Sequence, residues 1–474
     1  MNLFLFLLNS LIIVICSRKY FLLKEENTKK YLELSFYINI TLSKSISPEE
    51  LFKSLFYNQI YITIKIGSEQ TEIPFYLYLQ QYSLIIQSSE VSKDQVKGLY
   101  NELKSKSFIS SNKTETFMVM DMSEGILSQD FFYFNNNKHL LDFYLCKKNN
   151  DDTHISEGGK IGFKLEPENA QSEEAFFISN LKYKDLISEL VFSFKYNSEK
   201  KDEDKGSLFI GTYPHLIDNN KYKEEYFTIN NAEQIYTKIE WALKFKEIKL
   251  GNHITEKNSY AFLYIEIGYI IGTKKYFDYL LSLDTWKKYF NDNNKCHETT
   301  FIINDIEKND VSSKIPDEYT IFYCNEEVDI TKIVIGEISF INNELVYSFN
   351  FSSNELWEEK NGFKYFKIIK HDYYNDYWYF GKPFFQKFQM VFDYDNKKIG
   401  LYSKILKGDK NDGDNNGKHN ILVYIIIIIG LVIIIAGLVY IIFKNYKKFT
   451  KRKRANELLD DNYDYETNDK NVVN

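Results

Sequence analysis

Arginine is almost missing from this sequence: in 474 residues it occurs only at Arg18, Arg452 and Arg454. Proline (6), glycine (20) and cysteine (4) are also scarce. So little proline and glycine excludes a collagen-like or linker-dominated chain. Four cysteines exclude a disulfide-rich scaffold, and no CxxC pair or Cys/His cluster suggests a metal site. Cys296 and His297 are adjacent, which is not a ligand spacing. The formal net charge is −7, so no global basic field invites nucleic acid, and no nucleic-acid partner is expected. The Gly-x-Ser-x-Gly elbow, the phosphate-binding glycine loop and the zincin helix are absent too. No cofactor is therefore expected. The seven histidines are scattered and read as surface residues rather than catalysts.

Aromatic residues are abundant. With 38 Tyr and 38 Phe the chain is 17% aromatic, which excludes a disordered protein. Plentiful Lys, Asn, Ile, Tyr and Phe beside scarce Arg fits a bias toward A/T-rich codons, so composition says less about function than usual. Once the terminal segments are set aside, about 400 residues remain, room for two lobes of ordinary domain size.

The two ends set the expected topology. Residues 2–16 read NLFLFLLNSLIIVIC. That is the length of a signal-peptide core, too short for a membrane span, and residues 1–17 are expected to be a signal peptide. Residues 421–443 are apolar and uncharged, long enough to cross a bilayer at 1.5 Å per residue. Lys444, Lys447, Lys448, Lys451, Arg452, Lys453 and Arg454 follow at once and mark the cytoplasmic side. The expectation is a type I single-pass protein on the secretory route or at the cell surface, its large domain lumenal or extracellular. The stalk would be 407–420, the transmembrane helix 421–443 and the cytoplasmic tail 444–474. Asn39, Asn112 and Asn350 head glycosylation sequons. Cys296 and Cys324 are candidates for one disulfide, worth about 3 kcal/mol. Cys146 would then be odd: a buried thiol or an intermolecular partner.

Between the ends, strand patterning dominates. YITIKI (61–66) alternates, and FYLYL (75–79) resumes after Gly67. GSLFIG (206–211) and QMVFDYDNKKIGLY (389–402) are further strands, the latter turning at Asp395-Asn396-Lys397-Lys398. Helices are expected to be few and short, at 184–190 and 274–283. The charged run 196–205 reads as a solvated hairpin loop. Many short strands with regular turn signals imply a mostly-β architecture.

Read in order, the strands carry a resemblance. FYNQIYITIKIG (56–67), GGKIGFKL (158–165), NLKYKDLISELVFSFKYN followed by GSLFIGTYP (180–214), WALKFKEIKLGN (241–252) and WYFGKPFFQKFQMVFDYDNKKIGLYS (378–403) resemble successive elements of pepsin-like aspartic peptidases. The resemblance implies a bilobal β fold with an N-terminal lobe at 56–230 and a C-terminal lobe at 231–406. Residues 18–55 would be an N-terminal extension, either prosegment-like or an added strand, and the strand is favoured.

The resemblance also implies where the chemistry should be. The family uses two Asp residues, one from each lobe, each in Asp-Thr/Ser-Gly; close like charges force their titrations apart, so one serves as base and the other as acid. Here the first position falls on Tyr78, in Tyr78-Leu79-Gln80. The second falls on Tyr264, in AFLYIEIGYIIGT (261–273), as Tyr264-Ile265-Glu266. Both expected carboxylates are phenols, and both glycine positions carry long polar side chains. A phenol with a reference pKa near 10 does not replace an ionised carboxylate base. The family's flap tyrosine maps onto Met118. Glu266 and Asp121 are the nearby acids that could rescue activity, but no Asp occurs between residues 60 and 90. The chain is thus expected to be catalytically inactive, a peptide- or protein-binding or structural surface module. The alternative is an atypical membrane-anchored aspartic-type endopeptidase. Gln80, Met118 and Glu266 are the cleft candidates.

Overall fold

The structure is a computed structural model. It describes residues 29–38, 47–57, 59–80, 83–89, 99–117, 123–146, 158–165, 176–197, 205–235, 238–290, 295–303, 317–333, 336–342, 347–372 and 376–402, together with Lys444 and Lys447. The elements named below lie in one compact unit, residues 1–405; of the second unit, 406–474, only the two lysines are described.

The protein is mostly β. The first half contributes β1 (Leu32–Ile38), β2 (Ile60–Ile66), β3 (Thr71–Tyr78), β4 (Leu84–Gln87), β5 (Ile109–Phe117), β6 (Ser123–Phe134), β7 (Asn137–Cys146), β8 (Gly159–Gly162), β9 (Val191–Tyr196), β10 (Lys205–Ile210) and β11 (Phe227–Asn231). A short pair, β12 (Glu233–Ile235) and β13 (Lys238–Glu240), leads into the second half. That half contributes β14 (Ala242–Leu250), β15 (His253–Leu263), β16 (Ile270–Gly272), β17 (Cys296–Ile303), β18 (Asp317–Asn325), β19 (Ile338–Asn342), β20 (Tyr347–Phe351), β21 (Trp357–Lys360), β22 (Phe363–Phe366), β23 (Ile368–His371) and β24 (Trp378–Phe380). The chain then closes with β25 (Gln389–Asp393) and β26 (Lys398–Tyr402).

Alternation explains the strands. In β2, Ile60, Ile62, Ile64 and Ile66 are buried while Thr63 and Lys65 face outward. A period of two on a strand puts one set of side chains in the core and the other outside. The closing hairpin follows its turn chemistry. Asp393 accepts hydrogen bonds from the Asn396 backbone N–H (2.9 Å) and side-chain amide (2.8 Å), and Lys397 takes a positive φ of 51°.

The strands form a thirteen-stranded sheet, in the order β11-β26-β25-β9-β10-β1-β2-β3-β8-β4-β7-β6-β5, and an eleven-stranded sheet running β20-β19-β14-β15-β24-β16-β23-β18-β22-β21 with β17 beside β18. Two features depart from the sequence reading. The closing hairpin, placed by sequence in the second lobe, joins the first sheet through β25 and β9. The helix expected at 184–190 lies instead at Phe177–Tyr183. It ends there because Lys184 caps it and Asp185 takes a positive φ of 56°, a conformation that cannot continue a right-handed helix. The second expected helix is found at Lys274–Leu280, capped by Thr273.

Within residues 18–55, β1 pairs with both β10 and β2 inside the first sheet. It is followed by a helix, Pro48–Phe56. Ser47 and Glu50 form a capping box, Pro48 occupies the first turn, and Leu51, Phe52 and Phe56 are buried.

One arrangement of strands occurs twice. In the first half β3 runs parallel to β8, β8 antiparallel to β4, and β4 parallel to β7. In the second half β15 runs parallel to β24, β24 antiparallel to β16, and β16 parallel to β23. The two halves therefore share a topology that brings equivalent turns off the ends of β3 and β15. Residues 421–443 lie outside the described residues; among those described, no helix is long and apolar enough to cross a membrane.

Candidate functional site

The duplicated strands give matching positions. Leu77 lies opposite Ile161 and Tyr78 opposite Gly162; in the repeat, Leu263 lies opposite Phe380, and the Tyr264 N–H donates to the Phe380 carbonyl at 3.0 Å. Tyr78 and Tyr264 thus stand at equivalent places, each where the chain leaves its strand. The next residues, Leu79 and Ile265, are fully buried, while Tyr78, Gln80, Tyr264 and Glu266 are half-buried. A buried aliphatic anchor pins each turn and leaves the flanking polar side chains at the surface between the lobes.

The turns touch each other across the lobes, reciprocally. The Leu79 N–H donates to the Glu266 carboxylate at 3.4 Å. The Gln80 side-chain amide donates to the Leu263 carbonyl at 3.5 Å. Both are long bonds, so each contributes modestly. The residues that make them, Gln80 and Glu266, stand at matching steps of the two turns.

The phenols have matching neighbours too. The Lys160 ammonium lies 5.9 Å from the centre of the Tyr78 ring, close enough for a weak cation–π contact. The equivalent residue in the repeat, Tyr379, meets the Tyr264 ring edge-on at 5.3 Å.

The second turn is overlaid by the helix Pro48–Phe56. Phe52 packs against Tyr323, Tyr365 and Phe363, and Phe56 against Tyr319 and Phe301. Together with Ile267, Tyr269 and Ile271 they form an apolar cluster separate from the main core, and Tyr264 and Tyr379 sit at its margin. The Gly268 N–H donates to the Phe56 carbonyl at 2.7 Å. A Cβ on Gly268 would lie 1.8 Å from the Leu55 carbonyl oxygen, so only glycine allows this approach. Burial pushes the Tyr269 hydroxyl well above its ordinary pKa, and it donates to the Phe52 carbonyl at 3.4 Å.

The other residues singled out by sequence lie elsewhere. Cys296 and Cys324 stand opposite each other on β17 and β18 and are joined in a disulfide. Cys146 is buried at the end of β7, outside that bond. Asn350 is exposed on the edge strand β20, and Asn112 lies on β5. Asn39, Met118 and Asp121 lie outside the described residues. Sequence reading missed the helix and the two ring neighbours, Lys160 and Tyr379. The helix had a signal: Ser47-Pro48-Glu49-Glu50 ahead of an apolar run is a capping-box pattern. The ring neighbours had none, because they come from distant strands. Among the described residues, no group of three or more His, Cys, Asp or Glu side chains could hold a metal ion.

A family model described as eukaryotic aspartyl protease matches residues 59–404. No curated protein matches the chain significantly.

Proposed function

The chain belongs to the eukaryotic aspartyl protease family, and we propose that it is a member without peptidase chemistry. In this reading a pepsin-like domain is carried on a single C-terminal membrane span, facing the lumen or cell exterior. It holds a peptide or protein between its lobes, or serves as a rigid surface module. The observation that supports the reading is the pair Tyr78 and Tyr264 at equivalent turns, the positions that by sequence resemblance correspond to the family's two aspartates. Activating water needs one ionised carboxylate and one protonated carboxyl facing each other. Two phenols supply neither near neutral or acid pH. The glycine positions that follow carry Gln80 and Glu266, whose side chains reach across to the opposite turn.

Among the described residues, Glu266 favours the enzyme alternative, since it brings a carboxylate to the second turn. Its first-lobe counterpart at the matching step is the amide of Gln80 rather than an acid. Bonding to the Leu79 N–H also gives it a structural role.

The test is hydrolysis of an unbiased peptide library by the purified full-length chain, from pH 3 to 8, with and without a statine-type inhibitor. No cleavage by folded protein is expected. Inhibitor-sensitive cleavage that disappears in Glu266→Gln would overturn the proposal in favour of the endopeptidase reading.

A further inference from the structure

On the face of β9 turned away from the main core, two lysine ammonium groups meet over one tyrosine ring. Phe192 and Phe194 of β9 belong to the main core, so Ser193 and Lys195 lie on the other face. There the loop ahead of β11 lays Tyr222 on the sheet. Its ring is buried between Phe209 and Tyr402, at 6.2 and 5.6 Å. The loop is tied to itself through Asp218. Its Oδ1 accepts from the Asn220 and Lys221 N–H groups at 3.0 and 3.1 Å, and its carbonyl accepts from the Tyr222 N–H at 2.9 Å. This turn fixes where Lys221 and Tyr222 leave the backbone.

The Lys195 nitrogen lies 5.1 Å from the centre of the Tyr222 ring and the Lys221 nitrogen 5.5 Å from it. Among the described residues, neither ammonium has a hydrogen-bond acceptor or an ion-pair partner. Glu33 and Asp218 attract Lys195 electrostatically without bonding to it. Glu33 stands two strands away on β1, opposite Phe209. One tyrosine ring offers only a weak quadrupole and does not balance two charges. Lys195 is half-buried and has lost part of its hydration, and the Lys221 amine stands beside it. Both effects pull its pKa down to about 8, so at neutral pH it still carries its charge. Lys221 is exposed, so the pair is open to solvent.

What the pair lacks defines its ligand. Two adjacent cations are offset by two negative charges on one small group. Each ammonium is a donor only, with three N–H bonds to place, so the group must carry several acceptor oxygens. A single carboxylate brings one charge and two oxygens. A tetrahedral oxyanion brings two charges and more oxygens, and lysine binds such groups as a point charge without needing a fixed fork geometry. Ser207 stands opposite Lys195 on β10 and adds a hydroxyl to the same face. We infer that Lys195 and Lys221 form a binding site for a doubly charged oxyanion, a phosphate or sulfate group. The site is built on β9 and the loop ahead of β11, apart from the turns off β3 and β15, and it stands whether or not those turns carry peptidase chemistry.

The test is calorimetric titration of the full-length chain near neutral pH and at constant ionic strength, with inorganic phosphate, sulfate and acetate as separate probes. Saturable binding of phosphate or of sulfate is expected, about tenfold or more tighter than that of acetate. Lys195→Met and Lys221→Met are each expected to weaken it about tenfold. Lys221 is exposed, so its variant is expected to fold normally. Glu33→Gln removes a competing negative charge and is expected to tighten binding about twofold. Lys184, which lies 5.3 Å from the Tyr183 ring centre, is the control, and Lys184→Met is expected to leave the affinity unchanged. Three results would each overturn the inference: no saturable binding of either oxyanion, acetate binding as tightly as they do, or an affinity that survives in folded Lys221→Met. A loss in Lys184→Met as large as in Lys221→Met would overturn it too, by showing attraction to surface charge in general.

Discussion

The carboxylate of Glu266 accepts a hydrogen bond from the backbone N–H of Leu79, a residue 187 positions away in the other lobe. Leu79 is fully buried, so its N–H has little access to water and depends on this acceptor. Gln80 returns the contact to the Leu263 carbonyl. The two turns off β3 and β15 are thereby joined by side chains standing at equivalent steps of a repeated topology.

Removing the acceptor should free the first turn. Glu266→Leu leaves the Leu79 N–H buried and unpaired, at a cost of about 1–3 kcal/mol. Glu266→Gln keeps an acceptor oxygen but loses the charge, so it should cost less. Hydrogen exchange at the Leu79 amide should accelerate in the order wild type, Gln, Leu. Exchange unchanged in the Leu variant would show that the 3.4 Å contact contributes nothing.

The helix Pro48–Phe56 should be displaceable from the second turn by one methyl group. Gly268→Ala puts a Cβ 1.8 Å from the Leu55 carbonyl oxygen, and helix or turn must move. Phe52→Ala empties a fully buried site ringed by Tyr323, Tyr365 and Phe363, which should cost about 3–5 kcal/mol. Both variants should raise exchange at Ile267 and Tyr269 before the rest of the second sheet is affected. Uniform loss of protection across the sheet would instead make the helix part of the global core.

The disulfide closes a separation of 28 residues between facing positions of β17 and β18. Closing a loop of this length is worth about 3 kcal/mol through the unfolded chain. The same two strands supply Phe301, Ile303, Tyr319 and Ile321 to the cluster beneath the helix. The double variant Cys296→Ala, Cys324→Ala should therefore lower the denaturant midpoint and loosen the helix. A midpoint equal to wild type would show that strand pairing alone holds this hairpin.

Lys195 gives stability an unusual slope with pH. Burial, then the neighbouring Lys221, lowers its pKa to about 8, against the weaker opposing pull of Glu33 and Asp218. The unfolded chain holds that proton up to the ordinary lysine value. Between about pH 8 and that value the unfolded state thus binds more protons, and stability rises with pH. Below about pH 8 both states are protonated, and the full burial penalty stands. Lys195→Met should raise the melting temperature at pH 7 and flatten its rise on the alkaline side. Parallel melting curves for wild type and variant across pH 7 to 10 would contradict this.

How legible was the molecule? Alternation marked β2, β3, β10 and the closing hairpin, because a period of two on a half-buried strand is written directly into the residues. The order of such segments carried the family resemblance, and the family model covers much the same span, 59–404. The helix at Phe177–Tyr183 was misplaced by several residues, since its end depends on the positive φ of Asp185 rather than on composition. Sheet membership of the closing hairpin was misassigned, because pairing with β9 is a long-range choice that neither segment states alone.

The same division holds at the site. Residue identity needs no folding, so the order Tyr78, Leu79, Gln80 and Tyr264, Ile265, Glu266 was readable from the chain alone. What these residues touch depends on how distant segments fold together. The contacts between Leu79 and Glu266, Gln80 and Leu263, Lys160 and Tyr78, and Tyr379 and Tyr264 all join segments more than 80 residues apart. The helix over Gly268 is another such contact, fixed by a fit of backbone to backbone that no local pattern records. Local propensity chooses strands and turns. Contacts between distant strands are chosen by packing, which exists only once both lobes are formed.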